Sequence, residues 1–195
     1  MATMAGAAAI VAFAFVGSAL PATAAAKKPS NTVAKSGPEV SPAGDIPDNQ
    51  AFVPYTPSSG GFMVSVPEGW ARTESGAATS FTDKLNTIRM QAFPVKAAPT
   101  TKSVLNTELP AVRAAEPKVT GGTVSSVKRK SGAVLVLKYQ RDSGPNAVTG
   151  KVIREAVERY EFWRSGSEVV LTLSGPVGAD NVDPWKIVTE SFGWK

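Results

Sequence analysis

The first 26 residues contain no Lys, Arg, Asp or Glu, and all of the chain's 21 basic and 16 acidic side chains lie between Lys27 and Lys195. That break divides an export or membrane segment from a water-soluble body, so only the second part has the polar surface that a globule in water requires. Residues 5–20 are dominated by Ala, Val, Ile, Phe and Leu and run into Pro21, Ala22, Thr23, Ala24, Ala25 and Ala26. An apolar run ending in small residues predicts a secretory signal peptide, cut after Ala24 or after Ala26 to leave a mature chain of about 170 residues. Residues 1–4 add no basic side chain. The competing reading is an uncleaved anchor, because residues 4–26 are long enough to cross a hydrocarbon core of about 30 Å.

The chain has no Cys. Lipid attachment at a new N-terminal Cys, disulfides and thiolate metal sites are therefore excluded, and the body must be held by its own apolar core. There is no His either, so the net charge of +5 has no imidazole switch near neutral pH. Residues 27–45 are rich in Pro, Gly, Ser and charge and read as a flexible tether. Lys27, Lys28 and Lys35 on that tether could make peripheral contact with an anionic membrane, although a solvated run is the simpler reading. Residues 46–195 are expected to form a single folded domain.

Within that domain, Phe62, Val64 and Val66 alternate on one strand face, and residues 79–82 and 87–95 are further strand candidates, the latter presenting Ile88, Met90 and Ala92 together. Phe52, Val53 and Tyr55 form an apolar segment ahead of them, and Trp70, after the Pro67-Glu68-Gly69 turn, covers an end of the core. Thr100 or Thr101 can cap a helix carrying Val104, Leu105, Leu109 and Val112, which Pro110 should interrupt or kink. Residues 119–127 and 133–139 read as a hairpin, with Ala133, Leu135, Leu137 and Tyr139 on one face. The Lys128-Arg129-Lys130 cluster keeps the hairpin end in water and Gly132 permits the bend.

Residues 151–164 carry conflicting signals. Val152, Ile153, Ala156, Val157, Tyr160 and Trp163 recur as a helical stripe, yet Ala156, Glu158, Tyr160 and Phe162 also fall on one strand face. The helical pattern is the better match. Ser165-Gly166 makes a tight turn into the apolar run 169–173. Near the C-terminus Asp183 can cap a helix with Pro184 at its first position and Trp185, Val188 and Phe192 as its apolar stripe. That helix should cover one face of a sheet, with Trp194 closing the edge.

Without His or Cys, the usual acid–base and nucleophilic pairings are missing, which leaves Ser-Lys, Thr, carboxylate or Tyr chemistry. Glu155, Glu158 and Glu161 are the obvious carboxylates. On a strand Glu155 and Glu161 share a face and Glu158 opposes them; interleaved Arg154, Arg159 and Arg164 make mutual compensation at the surface the simpler account. Asp180 and Asp183 beside Gly178 offer few ligands for a hard cation, and capping explains Asp183, so no metal site is expected. No GxGxxG or GxxxxGK[ST] occurs, no cofactor is implied, and the basic clusters are too narrow for a nucleic-acid surface. The expected activity is therefore binding, with Tyr55, Trp70, Tyr139, Trp163 and Trp194 as candidate anchors. The alternative is a hydrolase using carboxylate or Ser-Lys chemistry.

Val66-Pro67-Glu68-Gly69-Trp70, Tyr160-Glu161-Phe162-Trp163 and the stretch LTLSGPVGADNVDPWKIVTESF at 171–192 resemble the actinobacterial LpqN-like envelope proteins. More distantly, the layout of residues 46–195 is similar to the PsbP-like fold. The resemblance implies an α+β fold, an antiparallel sheet flanked by helices, in which residues 151–164 are a strand. It also implies a non-enzymatic domain, secreted or at the cell envelope, that binds an envelope or extracellular protein or an apolar ligand. It supplies no catalytic residues. Many relatives carry a lipid on a Cys that this chain lacks, which favours release or a peptide anchor.

Overall fold

The computed structural model describes residues 43–58, 60–146 and 148–195. The expected leader at 1–26, and all but the last three residues of the expected tether at 27–45, lie outside the described residues. Among the described residues no helix is long and apolar enough to cross a membrane.

Among the described residues, ten strands and a few short helices follow one another as β1 (Phe52–Tyr55), β2 (Phe62–Pro67), β3 (Ala71–Ser75), β4 (Ala78–Asp83), β5 (Asn86–Pro94), α1 (Thr101–Ser103), a π-helical turn (Val104–Glu108), α2 (Leu109–Ala115), β6 (Thr120–Arg129), β7 (Gly132–Asp142), β8 (Arg154–Arg164), β9 (Ser167–Pro176), α3 (Val182–Glu190) and β10 (Gly193–Trp194). Seven strands form one sheet in the order β3-β4-β5-β9-β8-β7-β6, and β1-β2-β10 form a second. Every pairing is antiparallel. The expected fold class, α+β with an antiparallel sheet flanked by helices, is what the structure shows.

The large sheet is covered on both faces, which is why its central strands read as nearly continuous apolar runs. On one face Ile88, Met90, Val134, Val136, Tyr160, Phe162, Val169, Leu171 and Leu173 pack beneath the small sheet and α3, against Phe62, Val64, Val66, Trp185, Val188 and Phe192. Phe192 is the keystone: its ring stacks on Phe162 at 3.8 Å and on Phe62 at 5.5 Å, and Trp194 meets it edge-on at 5.2 Å. On the other face Leu137, Tyr139 and Val157 lie under Val104, Leu109 and Val112 of the first helical segment.

Three local expectations need correction. The helix at 101–115 is capped by Thr100, whose Oγ1 accepts from the Ser103 amide at 3.0 Å, but it widens into a π turn before Pro110. The Leu109 amide donates to the Val104 carbonyl five residues back, so Val104 and Leu109 share the buried face and Leu105 is turned to solvent. Asp183 does not cap α3. The cap position is Asn181, whose side chain is engaged elsewhere: Oδ1 accepts from the Ile46 amide at 2.8 Å, and Nδ2 donates to Gly44 and to Asn86. Arg129 is not a solvated hairpin residue, because the alternation of β6 aims it at the core face beside α3.

Residues 154–164 form strand β8, as the family resemblance implies and the helical stripe does not. Pairing with β7 on one side and β9 on the other supplies both backbone ladders, and this tertiary hydrogen bonding outweighs a weak helical preference. Strand β3 has no signature in the sequence, because all five of its residues are exposed on a sheet edge and no buried phase marks it.

Candidate functional site

The large sheet is longer than its cover. Beyond α3, the core-facing phase of β6, β7 and β8 continues with Thr123, Lys138, Gln140, Ala156 and Glu158, and Trp185 of α3 forms one wall above them. Two adjoining hollows of about 480 and 240 Å³ follow this strip and share Lys138, Ala156, Glu158 and Trp185. Alternation places Lys138 two residues after the buried Val136, and Glu158 two residues before the buried Tyr160. The register sets the two charged residues directly opposite each other, and Lys138 Nζ is bonded to Glu158 Oε1.

The groove's polar side chains form a chain of contacts. The Tyr160 hydroxyl donates to Glu158 Oε2 at 2.5 Å and accepts from Arg129 Nη2 at 3.2 Å. Arg129 also donates from Nε to Thr189 Oγ1 at 2.8 Å, lies 5.2 Å from the Tyr160 ring centre, and stands 4.0 Å from Glu190. Burial, and then the bond to Glu158, push the Tyr160 phenol far above its ordinary range, so it remains a donor. A neutral hydroxyl between a carboxylate and a guanidinium is a fixed hydrogen-bonding wall with no activated nucleophile in it. The arrangement suits recognition.

A second polar group lies on the opposite face of the sheet. Glu161 of β8 is paired with Val170 of β9, and Glu168 is two residues before Val170, so the two carboxylates are diagonal neighbours. The π turn brings Glu108 over them from above. One oxygen of each of the three carboxylates lies within 4.8 Å of the other two. Arg159 is the cation beside them, with Nη2 3.4 Å from Glu108 and Nε 4.0 Å from Glu161. The Glu161 side chain is 0% exposed, and its carboxyl is pushed up to about 9, first by burial and then by Glu108. Glu168 is raised for the same first reason, and then by Glu108. The expected compensation of Glu155 and Glu161 at the surface is therefore corrected. Both are buried on one face; Glu155 is held by Arg141 Nε at 2.8 Å, and only Glu158 lies on the groove side.

No protein-family model matches the chain, and no curated protein matches it in sequence. Solved structures do match. The cyanobacterial PsbP (CyanoP) from Synechocystis sp. PCC 6803 superposes with a TM-score of 0.52 at 14% identity, over 82% of this chain and 98% of that one. The Saccharomyces cerevisiae Ran-binding protein Mog1p gives 0.51 at 8% identity, over 74% of this chain and 95% of that one. The fold is PsbP-like.

On this PsbP-like frame the five candidate aromatics do not converge. Tyr55 meets Phe81 edge-on at 4.9 Å and its hydroxyl lies 3.3 Å from Thr79; Trp70 is half-buried against the main core; Trp194 closes on Phe192, with Arg164 5.0 Å from its ring. Trp163 is on the other face, paired with Glu168 and donating to the Val95 carbonyl at 3.2 Å. Tyr139 is buried beneath α2 and borders the groove. The aromatic walls of the groove are Trp185 and Tyr160, which the sequence assigned to helix and strand packing. Their partners did leave a signal: Lys138 and Glu158 are charged residues in the phase of a strand's buried face.

Proposed function

We propose that this chain is a non-enzymatic binding domain, exported by its leader to the cell envelope or beyond it, that takes up a protein partner in the groove beneath Trp185. The observation that carries the reading is the uncovered strip of β6, β7 and β8, where a cross-strand Lys138–Glu158 pair stands beside an apolar Trp185 wall. A desolvated aromatic anchor next to oriented charges is the composition of a protein-binding hot spot. Charged rims and a hydroxyl held between Glu158 and Arg129 suit the peptide groups and side chains of a polypeptide better than an apolar ligand. Mog1p, a Ran-binding protein, has a similar fold; fold alone does not transfer a partner. Support for the envelope comes from the sequence, through the uncharged first 26 residues and the resemblance to LpqN-like proteins.

A photo-crosslinking side chain placed at Gln140, in the groove, is expected to capture a discrete protein adduct in intact cells of the source organism. The same group at Glu74, on the far sheet edge, should not, and Lys138→Glu should abolish the adduct. Equal capture at both positions, or a small apolar adduct alone at Gln140, would overturn the protein-binding reading. The mass of the recovered chain should match cleavage after Ala24 or Ala26; an intact chain dissolved in the cytosol would defeat the export half of the proposal.

A further inference from the structure

The carboxylates of Glu108, Glu161 and Glu168 are not needed by the groove, which lies on the opposite face of the sheet. The fold nevertheless brings them together from three elements: a π turn, β8 and β9. A buried acidic cluster is costly unless something compensates it. Arg159 offsets one of the three charges. Both oxygens of Glu161, together with Glu168 Oε1, are fully enclosed and have no hydrogen-bond partner. These oxygens belong to two carboxylates of the cluster and have no donor among the described side chains.

We propose that Glu108, Glu161 and Glu168 form a binding site for a hard divalent cation of calcium's size. The geometry fits. Three ligand oxygens within 4.8 Å of one another are close enough for one ion to draw them to metal–oxygen distances of about 2.4 Å. The donor set is entirely carboxylate, which selects hard cations over thiophilic or imidazole-preferring metals. With all three carboxylates ionised, as metal ligands are, they and one guanidinium carry a net charge of −2, which a divalent cation balances. Glu108, with its side chain about one quarter exposed, stands at the open side and marks the route for the ion, while Glu161 and Glu168 form the closed floor. The π turn supports this assignment, since such turns recur where a helix must aim a side chain at a functional site. Bound there, the cation would tie the first helical segment to the centre of the sheet. This departs from the sequence-based expectation of no metal, which weighed only Asp180 and Asp183.

The test is calcium binding by the full chain, measured by equilibrium dialysis, together with thermal unfolding in chelator and in excess calcium. One calcium per chain is expected, with a rise in Tm of roughly 5–10 °C at about a hundredfold excess over Kd. Both should be lost in Glu108→Gln, a near-isosteric change at a side chain about one quarter exposed, and in Glu161→Gln. Both should persist in Glu74→Gln, on the exposed edge strand β3. Absence of saturable binding, or binding unaffected by Glu108→Gln and Glu161→Gln, overturns the proposal.

Discussion

Glu161 shows how little a residue's identity says about its state. Its neighbours in sequence, Tyr160 and Phe162, point into the main core, while its own carboxyl is enclosed on the opposite face among Glu108 of the π turn, Glu168 of β9 and Arg159 of β8. Burial, reinforced by Glu108, lifts it to about 9 from an ordinary 4.5. The sign follows from linkage: the folded state holds the proton more tightly, so this group stabilises fully below about 4.5 and its contribution is lost as pH rises toward 9. In chelator, the Tm of the wild type relative to that of Glu161→Gln should therefore fall steadily from pH 5 to pH 9. A difference that stays constant across that range would show that Glu161 does not hold its proton. None of this was legible in the sequence, where three glutamates interleaved with three arginines describe a solvated surface equally well. Which of them is buried depends on the strands and the helix that happen to lie beside each one.

At the scale of elements, hydrophobic phase was readable wherever one face alone is buried. The phases of β2 and β5 follow directly from alternation, whereas β7 is buried on both faces, with Val134 and Val136 in the main core as well as Leu137 and Tyr139 beneath α2. Helix ends were read less well, because a capping residue can be diverted by a distant partner. Thr100 makes its cap bond locally, whereas Asn181 spends its side chain on Ile46, Gly44 and Asn86, and Asp183 makes no cap bond. Chemical unfolding should accordingly show that Thr100→Ala costs about 1 kcal/mol, while Asp183→Ala costs a few tenths from the weakened interaction with the helix dipole. Equal costs would contradict the assigned caps. The π turn was half legible: Pro110 signals a disturbed helix, but the direction of the adjustment, which buries Leu109 and exposes Leu105, depends on the sheet beneath it.

For the whole molecule, the decisive feature is a seven-stranded sheet covered on one face by elements from both ends of the folded chain, β1 and β2 with α3 and β10. Removing residues 184–195 takes away Trp185, Val188 and Phe192, each contributing roughly 1.5–3 kcal/mol by burial, against a total stability of about 5–15 kcal/mol for an ordinary domain. The truncated chain should lose its cooperative thermal transition and its near-ultraviolet circular dichroism; an unchanged transition would show that α3 does not close the core. The sequence by itself determined the uncharged first 26 residues, the absence of thiol and imidazole chemistry, the phases of β2 and β5 and the C-terminal apolar stripe, because each is set by residue type or by spacing along one segment. The tertiary structure alone decided that residues 154–164 are a strand, that Lys138 and Glu158 meet under Trp185, and that Glu108, Glu161 and Glu168 converge. These depend on which segments become neighbours in space, and burial and electrostatics act through that proximity.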